Sequence, residues 1–174
     1  MERRKFSLRA ALVLALLGGA VHFASLRWTG FPGLPTRPET QLLDGPIVLS
    51  TYILLGAILY GTLLVWPVSQ AIYAARKSFF TLLMGGLCGM IATIVALQGS
   101  YIAMGCVLMH LASTTDPAVR TVSIVTRFVL SMLDAETYGL FVMIGAAIPA
   151  FLCGTLITGA ARAFHRQSLP HPEA

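Results

Sequence analysis

Charge is what this chain has least of: 11% of its 174 residues are Asp, Glu, Lys or Arg, against roughly 25% in a soluble domain. A chain so short of polar groups cannot cover its own surface with them, which excludes an ordinary water-soluble globule. Cysteine is scarce as well. Cys88, Cys106 and Cys153 stand singly in apolar runs, with no CxxC and no Cys/His pair at ligand spacing. The pattern therefore offers neither a disulfide framework nor a zinc site, and the thiols read as small buried residues. No HExxH, phosphate-binding loop, nucleophile–base pair or pair of intramembrane aspartates occurs. The expectation is a protein without enzymatic activity and without a cofactor. Solenoid repeats and low-complexity segments are absent too.

What is present is apolar. Hydrophobic residues make up 56% of the chain and the mean hydropathy is +0.79. Lipid must be the solvent for much of such a surface, and once several spans are subtracted no room is left for a separate soluble domain. The reading is an all-α integral membrane bundle forming a single transmembrane domain over 1–174. It has four transmembrane helices, at about 10–27, 47–75, 79–111 and 137–161, with an amphipathic outer-face helix before the last span. Arg3, Arg4, Lys5 and Arg9 ahead of the first run resemble the start of a secretory signal, with Gly18 and Ala20 as a small pair before a cleavage site. The run is long enough to span and further spans follow, so a retained first helix is the simpler reading. The stretch 28–46 holds Pro32, Pro35, Pro38 and Pro46 with Gly30, Gly33 and Gly45, which predicts an extended outer loop. Pro67 should kink the second span.

Orientation follows from the basic residues. With both termini inside, the inner face holds Arg3, Arg4, Lys5, Arg9, Arg76, Lys77, Arg162 and Arg166, while the outer face holds Arg27, Arg37, Arg120 and Arg127. The net charge of +5 is thereby explained by the positive-inside bias rather than by nucleic acid, for which no motif exists. The location expected is a bacterial-type inner membrane, multi-pass, with cytoplasmic termini.

The third run is about 45–50 Å long at 1.5 Å per residue, more than the roughly 30 Å hydrocarbon layer needs. Starting from Arg76 and Lys77, it should leave the layer near Gln98 to Tyr101, which places His110 beyond it. Asp116-Pro117 then marks a turn. In 118–136, Arg120, Ser123, Arg127, Ser131 and Asp134 recur at helical spacing and form one polar stripe, with valines largely elsewhere. A fifth span here would send Arg162 and Arg166 outside. The segment therefore reads as an amphipathic helix folded against the projecting third helix, or lying flat at the interface. Its polar residues Arg120, Arg127, Asp134 and Glu136, with His110, form the candidate partner-binding face.

Two stripes of small residues suit close helix packing: Gly85 and Gly89 in the third span, and Ala146, Ala150 and Gly154 in the fourth. They serve packing within one bundle or a homodimer. His22 and His110 could ligate a haem or metal only at matching depths. His22 lies near the outer end of the first span and His110 beyond the membrane, so hydrogen-bonded interface histidines are expected instead. His165 and His171 belong to the solvated inner end. Two function classes remain: a subunit, assembly or accessory factor that docks a membrane-protein partner through its outer face, or a small oligomeric channel, transporter or exclusion-type protein. The absence of charge at mid-membrane favours the first.

Overall fold

The computed structural model describes residues 2–29, 41–73, 78–115 and 123–167. Among them there is no strand. Five helices follow in order: α1 (Glu2–Thr29), α2 (Gln41–Leu63), α3 (Val65–Tyr73), α4 (Ser78–Thr115) and α5 (Ile124–Gln167). Four stretches are long and apolar enough to cross a membrane: Leu8–Ser25, Leu49–Tyr73 through α2 and α3, Phe79–Val107, and Gly145–His165. Large apolar side chains face outward along all four, among them Leu12, Leu16, Leu54, Ile58, Ile91, Ile148, Leu152 and Leu156. A surface of that kind suits a lipid solvent.

The break between α2 and α3 has a local cause. Leu64 donates to the Tyr60 carbonyl at 3.3 Å and Val68 donates to the Leu64 carbonyl at 3.0 Å, so the ladder runs on both sides of Pro67. Proline has no N–H for the Leu63 carbonyl and its ring crowds that carbonyl. The helix therefore loosens at Leu64, one turn before the proline.

Two boundaries differ from the sequence expectation. α2 begins at Gln41, so Asp44, Gly45 and Pro46 lie in its opening turns rather than in a loop; residues 30–40 of that loop are outside the described residues. More consequentially, α5 is one helix of 44 residues, about 66 Å of rod. What was expected as a separate amphipathic segment is, from Ile124 onward, its front half. No proline stands between Ile124 and Ile148, and Leu133, Ala135 and Glu136 are good helix formers, so nothing ends the helix where the span begins. Ser123 caps it: its Oγ accepts the Thr126 N–H at 3.1 Å and lies 2.9 Å from Thr126 Oγ1.

The helices pack in a row. α4 and α5 share the most extensive seam, α2 bridges α1 to α4, and α3 reaches both α4 and α5. The contacts fix levels along the bundle. Tyr52, Ala96 and Leu97 form one core cluster with Leu49 and Ala146 against it, and Ser25 Oγ lies 3.3 Å from Tyr52 Oη. Ser25 of α1, Tyr52 of α2 and Ala146 of α5 thus stand near the level where α4 carries Ala96 and Leu97. Beyond it continue residues 102–115 of α4 and 124–144 of α5, about 20 and about 30 Å of helix respectively.

Candidate functional site

Two places gather polar chemistry. The first is the projecting part of α4 and α5. His110 is exposed on α4, and its carbonyl accepts the Ser113 hydroxyl at 2.7 Å. On α5, Val125, Val129 and Leu133 are exposed at four-residue spacing, Val125 at 72%. These three precede Asp134 and Glu136, the last charged residues before the apolar run 137–161. Arg127, Asp134 and Glu136 take their places on the same helix, their side chains being outside what is described. Arg120 falls in 116–122, outside the described residues.

The second place is inside. His22 is 1% exposed, and neither ring nitrogen has a hydrogen-bond partner. The expectation of a hydrogen-bonded interface histidine is therefore corrected: the ring is enclosed between helices, away from any donor or acceptor of suitable geometry. Its neighbours are aromatic edges. The Tyr52 ring is 4.3 Å away and the Tyr60 ring 5.5 Å away, both T-shaped. Gly56 lies between those tyrosines on α2, one turn from each, and any Cβ there would collide with the imidazole. On α1, a Cβ at Gly18 would come within 2.8 Å of the Gly56 carbonyl oxygen. The glycines let α1 and α2 approach until the ring just fits.

Polar atoms continue from this pocket toward α4. The Tyr60 hydroxyl is buried and turned toward Thr93 but lies outside hydrogen-bonding geometry, and Gln98 Oε1 is likewise buried without a partner. Ser100, in contrast, is satisfied by donating to its own helix, at the Leu97 carbonyl, at 2.7 Å. His22 and His110 stand at different levels and on different faces, so they do not form a ligand pair. Among the described residues no group of three His, Cys, Asp or Glu could hold a metal ion.

The small-residue stripes meet as follows. A Cβ on Gly89 would lie 2.7 Å from the Ala150 carbonyl oxygen and 3.0 Å from Gly154 Cα, and one on Gly85 would lie 3.0 Å from the Gly154 carbonyl oxygen. Backbone meets backbone here. Thr158 completes the seam, donating to the Gly154 carbonyl at 2.8 Å. Ala146 sits higher, against the Tyr52 cluster.

Sequence reasoning set His22 aside and overlooked Tyr52, Gly56 and Tyr60. A signal existed in the four-residue spacing of those three and of Gly18 with His22, but the spacing alone does not say that the two stripes meet. Comparison with known proteins adds no assignment, since no family model, curated protein or solved structure matches the chain.

Proposed function

We propose that this chain is a non-enzymatic, multi-pass protein of a bacterial-type inner membrane. In this reading it is a subunit, assembly or accessory factor whose α4–α5 projection docks a partner membrane protein on the outer side. One observation carries the reading: residues 124–136 of α5 run about 20 Å ahead of the apolar run 137–161 of the same helix, and Val125, Val129 and Leu133 are exposed on that extension. An apolar strip kept out of lipid is costly unless something covers it. Arg127 and Asp134, seven positions apart on the same rod, supply orientation while the apolar neighbours supply most of the affinity. The sidedness rests on the basic residues at both termini and at Arg76 and Lys77. Reporter fusions after Lys77 and at the C-terminus should both register the cytoplasm.

A second reading, a small oligomeric channel or transporter, is favoured by the buried polar atoms of His22, Tyr60 and Gln98. Arg127→Glu, made in a folded protein, separates the two. Docking predicts that the co-purifying partner is lost. A channel predicts altered ion or solute flux with the same companions. If partner and flux are both unchanged, the projection is only a solvated surface and the docking reading fails.

A further inference from the structure

α1 is attached to the bundle through one seam, packing along α2 and touching α3. His22 is the bulkiest buried polar side chain it contributes to that seam. Among the described residues, those facing the ring are uncharged: Tyr52, Gly56 and Tyr60 from α2, with Ser25 of α1 beside Tyr52 and Thr93 of α4 behind Tyr60. The titratable groups among these are the two tyrosines. Charged residues lie further along the helices, Arg27 at the exposed end of α1 and Asp44 two turns before Tyr52 on α2, while α3 and α4 carry no Asp, Glu, Lys or Arg at all. A proton added to His22 would therefore place a charge in a seam where, among the described residues, no carboxylate or other hydrogen-bond partner reaches the ring. Burying an unpaired charge is costly enough to oppose the packing of two helices. His22 is five residues from Arg27, the first charged residue after the apolar run of α1. Little more than one helical turn separates the ring from that charged end.

We propose that His22 is an acid-operated release for α1: neutral, it is the plug that fills the Gly18–Gly56 notch, and protonated, it drives α1 away from α2. Release uncovers the Tyr52–Gly56–Tyr60 face of α2 on the bundle's interior side. The device is independent of the docking reading, since it needs neither the projection nor a partner.

The test uses the full chain in lipid nanodiscs. Spin labels are attached at Leu16→Cys and Ile58→Cys, both outward-facing, with Cys88, Cys106 and Cys153 changed to alanine. Electron–electron distances are measured between about pH 7.5 and about pH 5, the range in which an imidazole changes charge. One short distance is expected at the upper end. A longer component should grow as pH falls, by up to about tenfold per pH unit for release coupled to one proton. His22→Gln, which cannot take up a proton, should keep the short distance throughout. A single unchanging distance in the native-histidine protein overturns the proposal, and so does an identical acid response in His22→Gln. If His22→Gln does not fold, histidine-labelled NMR of the native protein decides: the His22 ring and the helix separation must share one midpoint, and a ring that titrates while the helices stay paired overturns it.

Discussion

The bundle contains two glycine-lined seams, and they use glycine for opposite purposes. Between α4 and α5, Gly85, Gly89 and Gly154 bring backbone against backbone, and the threonines in the contact, Thr155 and Thr158, are each bonded within their own helix. Between α1 and α2, Gly18 and Gly56 make a notch that holds an imidazole with both nitrogens unpartnered. The first seam maximises van der Waals contact where lipid provides no hydrophobic drive for helix association. The second gives up some of that contact to keep a polar ring dry. A seam built only for stability has no use for an unsatisfied donor and acceptor, so the α1–α2 seam carries a requirement that the α4–α5 seam does not.

The comparison breaks most visibly at Gly154. Gly154→Leu would push a branched side chain into the backbone of Gly85 and Gly86, where no flexible side chain can yield. A loss of about 3 kcal/mol or more is expected, seen as a collapsed melting temperature or aggregation in mild detergent. Unchanged stability would mean that the two helices are not in this register.

At the other seam the obstacle is a side chain, and the expected cost is smaller. Gly56→Ala should destabilise by about 1–3 kcal/mol through its collision with the His22 ring. His22→Ala should relieve it, so the double variant should be more stable than the two single losses predict, with a coupling of about 1 kcal/mol or more. Additive losses in the thermal unfolding cycle would show that Gly56 does not act through His22.

How much of this was legible in the sequence differs by element. The four apolar stretches were legible because a run of about twenty apolar residues has one physical meaning in a chain so poor in charge. The continuity of α5 was not, because the pattern changes from amphipathic to apolar along it, although nothing between Ile124 and Ile148 breaks a helix. The start of α2 was missed in the opposite way, since Gly45 and Pro46 read locally as a turn. Gly85, Gly89, Ala150 and Gly154 were visible as spacings of four, while their pairing is a tertiary fact. The His22 notch was the least legible part. His22 and Gly56 are far apart in sequence, and a lone histidine near a span end reads as wetted until α2 is seen to cover it.

The finest distinction between the seams is the sign of a single hydroxyl. Thr158 Oγ1 donates to the Gly154 carbonyl, and the same oxygen and the Thr158 Cβ face Gly85. Thr158→Val keeps the shape and removes a satisfied bond, so a loss of about 0.5–1.5 kcal/mol is expected. Tyr60 presents the contrary case. Its ring is fully buried and helps to form the core with Leu14, Leu64 and Ala92, but its hydroxyl has no partner. Tyr60→Phe keeps the ring and removes a donor that is desolvated without compensation, so it should be neutral or stabilising by about 1 kcal/mol. The two variants, melted side by side in the same detergent, should move in opposite directions. If Tyr60→Phe instead loses as much as Thr158→Val, the Tyr60 hydroxyl is bonded in the membrane, with Thr93 as the nearest candidate, and the α1–α2 seam is as well satisfied on its α4 side as the seam between α4 and α5. The unpartnered chemistry would then be confined to His22, which narrows the contrast between the seams to one ring.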